Sequence, residues 1–201
     1  MLQNKRGQPM RKLILFGDSN TYGYDPRGFL GGRYPEEVRW TTHVREALKD
    51  RYEIVEEGLN GRMLPELGYG LFSTVIQGLS RDDVFVMMLG TNDILLTNHP
   101  NVEATLQRLD NILNYVSKNC LATFILIAPP YISAPNQEMQ LYHDCSVKMN
   151  EGFMKLAKEH NIKAIDASPW NIEMGYDGVH FSIEGHKSFA KSLLVALQEI
   201  L

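Results

Sequence analysis

Four short segments of this chain carry groups suited to acyl transfer: Gly17-Asp18-Ser19-Asn20, Gly58-Leu59-Asn60-Gly61-Arg62, Gly90-Thr91-Asn92-Asp93 and Asp177-Gly178-Val179-His180. A serine hydroxyl is a poor nucleophile until a base takes its proton. A neutral histidine does this well, and a carboxylate on its far nitrogen fixes the tautomer and stabilises the imidazolium. Ser19, His180 and Asp177 are of those types. Asp177 and His180 lie three residues apart in a Gly-containing turn, where they can meet. Charge growing on a carbonyl oxygen then needs preorganised donors. The backbone N–H groups of Ser19 and Gly61 and the side-chain amide of Asn92 are candidates, and Gly61 permits close backbone approach. Three of the segments also have a bland reading by themselves. Ser19 could cap a helix, Asn92-Asp93 could do the same, and Asp177-Gly178 is an ordinary turn signal.

For these segments to act together, the fold must bring them to one edge. Short apolar runs alternate with helical patterns along the chain. Strands are predicted at 12–16, 52–55, 84–89, 123–127 and 164–165. Helical spacing is predicted over 41–49, in Val102, Leu106, Leu109, Ile112, Leu113 and Val116, and in Leu141, Cys145, Met149 and Phe153. Residues 66–79 read as partly helical, weakened by Gly68 and Gly70, and Phe189 to Leu197 as a C-terminal helix. This alternation predicts a flavodoxin-like three-layer α/β/α sandwich with a five-stranded parallel sheet. Loops following such strands gather at the carboxyl edge of the sheet, where ligands bind. Residues 12–201 read as one domain, with 1–11 as a flexible tail, and Met10 offers an alternative start.

The 201 residues are 44 % hydrophobic and 22 % charged, an ordinary globular balance that allows a full core. A net charge of −4 with no basic run excludes an electrostatic nucleic-acid footprint and an anionic membrane surface as expectations. No stretch is apolar for long enough to insert in a bilayer, and the short run at 13–16 lacks the cleavage site of a secretion signal. The expected location is cytoplasmic. Cys120 and Cys145 read as free thiols rather than a disulfide.

Other motifs carry less. Gly68-Tyr69-Gly70 lacks the third glycine and preceding strand of a dinucleotide fingerprint, and neither a phosphate-binding loop nor a G-x-S-x-G elbow occurs. His186 is a rival base six residues beyond His180, but a packing or surface role suits it better. His43, His99, His143 and His160 are scattered and form no metal pair, so neither metal nor cofactor is expected.

The four segments in order, each after a predicted strand, resemble the blocks of the SGNH hydrolases, a branch of the GDSL esterase/lipase family. The resemblance runs from about residue 12 to the C-terminus. It implies that Ser19 is the nucleophile, that Asp177 and His180 complete the triad, and that Ser19, Gly61 and Asn92 form the oxyanion hole. Asn20 stands where many members carry Leu, which predicts a more polar wall beside the nucleophile. Val38-Arg39-Trp40-Thr41, Glu56-Glu57-Gly58-Leu59, Met88-Leu89-Gly90-Thr91-Asn92-Asp93 and Asp177-Gly178-Val179-His180-Phe181 are similar to the small arylesterase/acyltransferase subgroup. That implies hydrolysis of small carboxylic esters through an acyl-serine, a preference for short acyl chains, and homo-oligomers as a frequent assembly. A carbohydrate O-deacetylase, a thioesterase or an acyltransferase would use the same apparatus, and a silent acyl-ligand binding module would keep the fold alone. Tyr24, Trp40, Tyr131 and Ile132 are candidates to line the substrate pocket. Trp40 could instead pack against the first helix, Arg39 could be a structural ion-pair partner, and loops 22–38 and 129–137 are expected to shape specificity.

Overall fold

A computed structural model describes residues 10–28, 32–68 and 70–201. The order is β1 (Arg11–Gly17), α1 (Ser19–Tyr22), β2 (Tyr24–Asp25), β3 (Gly32–Arg33), α2 (Trp40–Leu48), β4 (Tyr52–Gly58), α3 (Leu71–Gly78), β5 (Val84–Met88), α4 (Thr91–Leu95), α5 (Val102–Asn119), β6 (Thr123–Ala128), α6 (Gln137–Glu159), β7 (Lys163–Asp166) and α7 (Ile183–Ile200). The five predicted strands form one parallel sheet in the order β4-β1-β5-β6-β7. That is the flavodoxin-like order, with its switch point between β1 and β5. β2 and β3 form a small antiparallel pair outside it.

The central strands are apolar on both faces because both are covered. Ile14, Phe16, Phe85, Met87 and Leu126 pack with residues of α3, α5 and α6. Their neighbours Leu13, Leu15, Val86, Ile125 and Ile127 pack with those of α2 and α7. The alternation follows from the strand's two-residue period. Helix stripes supply the other half of each layer: Trp40, Val44 and Leu48 on α2, Cys145, Met149 and Phe153 on α6, and Phe189, Leu193 and Leu197 on α7. Leu141 was grouped with the α6 stripe by spacing, but it is exposed. Side-chain oxygens of Asn101, Asn136 and Ser182 accept from backbone N–H groups at the starts of α5, α6 and α7.

Two expectations need adjustment. The helix predicted across 66–79 begins only at Leu71, because Gly68 (φ 108°) and Gly70 (φ 157°) hold the backbone in conformations a helix excludes. Tyr69 and the tail residues 1–9 lie outside the described residues, and β1 begins at Arg11. Among the described residues, no helix is long and apolar enough to cross a membrane.

Candidate active site

Three of the four segments follow directly from strands at the carboxyl edge. β1 ends at Gly17, where an added Cβ would lie 2.0 Å from Thr21 Oγ1, so the chain can turn tightly into α1 only without one. Asp18 caps that helix by accepting from Asn20 N at 3.0 Å. Burial pushes the Asp18 carboxyl up to about 6, against the opposing pull of the Asn20 N–H, His180 and Arg62. Ser19 opens α1 and is itself buried.

The fourth segment sits in a tight loop before α7, pinned at both ends. Met174 and Phe181 form an antiparallel bridge, Gly175 N donates to His180 O at 2.6 Å, and Ser133 N donates to Gly178 O at 2.8 Å. Gly178 has φ 72°, and an added Cβ would lie 2.8 Å from the Ser133 carbonyl. Asp177 organises this loop: Oδ1 accepts Val179 N and His180 N, both at 3.0 Å. Oδ2 accepts His180 Nδ1–H at 2.6 Å. Burial pushes the Asp177 carboxyl up, but the His180 ring and these two N–H groups outweigh it and hold it below its ordinary value. An ionised carboxylate only accepts, so the imidazole proton belongs on Nδ1 and the Nε2 lone pair faces outward. Ser19 Oγ lies 2.9 Å from that Nε2. Ser19, His180 and Asp177, separated by up to 161 positions in sequence, thus form a continuous hydrogen-bonded chain.

The second and third segments meet beside it. Arg62 Nη1 donates to Gly17 O at 2.9 Å and to Glu57 O, and its guanidinium lies 4.1 Å from the centroid of the Phe16 ring. These contacts draw the 59–62 turn onto the end of β1. Gly61 lies in that turn with φ 72° and open space about it. Gly58 instead packs against α1, where a Cβ would lie 2.2 Å from Tyr22 N. Asn92 is buried on α4, and its Nδ2 donates to Arg62 O at 3.0 Å. Sequence reasoning missed the support behind this arrangement. Asp93 accepts Leu64 N at 2.9 Å and Arg108 Nη1 at 2.7 Å, and Arg108 also donates to Leu64 O. Arg108 comes from the middle of α5, and no local pattern marks it.

The candidate pocket residues divide. The Tyr24 ring centroid lies 4.5 Å from that of His180, at the site. Tyr131 is partly exposed and packs edge-on to His143. Trp40 does not line a pocket. It is 1 % exposed, its ring packs on Phe189, and its Nε1–H donates to Asn20 O at 2.8 Å. Ile132 is likewise in the core, with its N–H on Ser146 Oγ and its carbonyl accepting from His143 Nδ1. Arg39 pairs with Glu56 at 3.5 Å.

Asn20 also departs from expectation. It is not a wall residue but a buried one, its side chain bonded to Val179 O and Phe181 N. His186 is fully buried, with Nδ1 accepting Trp40 N, and burial pushes its ring down to about 3. A neutral, enclosed imidazole of this kind is part of the packing. His160 bonds to Asp110. Both cysteines are free, Cys145 buried and Cys120 half-buried, and burial pushes both thiols up. Among the described residues, no group of three or more His, Cys, Asp or Glu side chains is placed to hold a metal ion.

Known structures share this architecture. A protein of Agrobacterium tumefaciens str. C58, provisionally named an arylesterase, is 25 % identical and superposes with a TM-score of 0.80 over 96 % of this chain and 100 % of its own. The native aryl esterase of M. smegmatis is 20 % identical, with a TM-score of 0.80 over 95 % and 100 %. A carbohydrate acetylesterase from Sinorhizobium meliloti is 22 % identical, with a TM-score of 0.76 over 95 % and 100 %. No match is found among curated protein sequences. The family model of the GDSL-like lipase/acylhydrolases matches residues 15–188, from the middle of β1 into α7 and across all four segments. The chain belongs to the GDSL-like lipase/acylhydrolase family, and is an ester-hydrolysing enzyme.

Proposed function

We propose that this enzyme hydrolyses small carboxylic esters with short acyl chains through an acyl-serine intermediate. The observation that carries the reading is the chain from Ser19 Oγ to His180 Nε2 at 2.9 Å and from His180 Nδ1 to Asp177 at 2.6 Å. Ser19 Oγ attacks the ester carbonyl while its proton passes to Nε2. The ionised Asp177 stabilises the resulting imidazolium. The oxyanion is held by the N–H groups of Ser19 and Gly61 and by the Asn92 amide. One N–H of that amide is engaged on Arg62 O, which leaves the other for substrate. As the tetrahedral adduct collapses, the Nε2 proton goes to the departing alcohol. Water, activated by the same nitrogen, then cleaves the acyl-serine and restores the free hydroxyl.

The Tyr24 ring beside His180 crowds one side of the reacting pair, which supports a short acyl chain. Comparing acetyl and butyryl esters with Tyr131→Ala checks whether the neighbouring loop sets that limit, and an unchanged preference removes Tyr131 from the pocket. A second reading, de-O-acetylation of a carbohydrate, is favoured by Tyr176. Tyr176 is 76 % exposed and directly precedes Asp177 in the chain, a side chain on which a sugar can stack. Acetylated monosaccharides and xylan oligomers tested against p-nitrophenyl acetate separate the two.

The primary test is fluorophosphonate labelling and p-nitrophenyl acetate turnover in the native protein and in Ser19→Ala. Both signals disappear in the variant if Ser19 is the nucleophile. Labelling that survives in Ser19→Ala places the reactive group elsewhere.

A further inference from the structure

Catalysis by a serine–histidine pair depends on a distance that no covalent link maintains. The base must stay within about 2.6–3.2 Å of the hydroxyl, and a displacement of about 1 Å costs on the order of a hundredfold in rate. Here the hydroxyl is on α1 and the imidazole is on the loop before α7. The internal bonds of that loop, Asp177 to Val179 N and His180 N and Gly175 N to His180 O, fix its shape. They do not fix its position relative to Ser19.

Asn20 supplies that link. Its Nδ2 donates to Val179 O at 3.0 Å, and its Oδ1 accepts Phe181 N at 2.9 Å. The two bonds engage the residues immediately before and after His180. Among the described residues, they are the only hydrogen bonds joining the loop to α1 besides the one between Ser19 and His180 itself. The Asn20 carbonyl in turn accepts Trp40 Nε1–H, and Trp40 packs on Phe189 of α7. The helix bearing the hydroxyl is therefore tied both to the loop and to the core beneath it.

We infer that Asn20 is a positioning residue, whose carboxamide brackets His180 and sets the separation of Nε2 from Ser19 Oγ. This rests on the reading of Ser19 and His180 as nucleophile and base. The task needs one donor and one acceptor at adjacent positions, which a carboxamide provides and an aliphatic side chain does not. Asn20 is 7 % exposed, Val179 8 % and Phe181 0 %, so water has little access to replace the bonds. Losing them leaves a buried carbonyl and a buried N–H unpaired, and the loop relieves this by moving.

The test uses Asn20→Leu and the smaller Asn20→Ala, each checked by thermal melting, so that Asn20→Ala carries the comparison if Asn20→Leu fails to fold. The expected result is a kcat for p-nitrophenyl acetate lower by about 10–100-fold with KM within about threefold. Labelling by fluorophosphonate slows in parallel. Hydrogen exchange at the Phe181 amide accelerates in the folded variant. A folded variant with kcat within twofold of the native value overturns the inference, as does unchanged protection at Phe181. The exchange measurement stands apart from chemistry. If the native protein shows no Ser19-dependent turnover, the functional reading fails, while Phe181 exchange still decides whether Asn20 holds the loop.

Discussion

Replacing Asp177 with Asn isolates what the carboxylate does for His180. Asp177 makes two kinds of contact through different oxygens. Oδ1 accepts two backbone N–H groups at 3.0 Å, and Oδ2 accepts the imidazole N–H at 2.6 Å. In Asp177→Asn the amide oxygen can keep both backbone bonds, so the loop retains its shape. The amide nitrogen then faces His180 Nδ1 and presents a hydrogen where the carboxylate presented a lone pair. The imidazole must shift its proton to Nε2, which now points a hydrogen at Ser19 Oγ and cannot accept one. The charge that stabilised the imidazolium is lost as well. The same exchange in a serine protease costs about 10⁴ in kcat. The corresponding barrier here rises by about 5 kcal/mol. The assay is steady-state turnover of p-nitrophenyl acetate, with KM expected within a few-fold of native. Thermal melting within about 4 °C of native shows that the scaffold survives. A folded Asp177→Asn protein with kcat reduced less than tenfold would refute the assignment of Asp177.

Four further outcomes are expected. Asn92→Ala lowers kcat by about a hundredfold or more, the usual loss for one oxyanion donor; full turnover in steady-state assays removes Asn92 from the hole. Two buried groups give stability pH dependences of opposite sign. Asp18, raised from 3.8 to about 6, holds its proton more tightly when folded, so stability falls as pH rises across that window; Asp18→Asn should melt higher near pH 8 and hardly differently near pH 4. His186, lowered from 6.5 to about 3, stays neutral when folded and charges on unfolding, so stability falls as pH drops through that interval; His186→Gln should flatten this part of a melting-temperature profile. Gly90→Ala should lose about 2–4 kcal/mol in urea denaturation, because φ is 118° and the new methyl would lie 2.8 Å from Phe153 Cζ.

The sheet was legible in the sequence because strands buried on both faces leave uninterrupted apolar runs, as in Val84 to Met88. The long helices were legible through their four-residue stripes. The short elements at the site were not. α1, α4 and the β2–β3 pair are too brief to show a period, and tertiary contacts hold them in place. Ser19, His180 and Asp177 could be nominated because few other residue types perform acyl transfer. Their neighbours could not be sorted that way. Trp40 and Ile132 have the composition of pocket walls, but both are consumed by the core. Asn20 read as a polar wall beside the nucleophile because nothing local shows that its partners lie 159 and 161 positions away. The Asp93–Arg108 pair is hidden for the same reason.

The span between Ser19 and His180 also bears on how the enzyme comes into being. Closing a loop of such length is entropically unfavourable early in folding, when little else is in place to offset it. During synthesis β1 and α1 emerge well before the loop that precedes α7. A nascent chain can therefore hold most of its sheet and remain chemically silent. Turnover in this enzyme would signal that α1 and the loop before α7 have found each other.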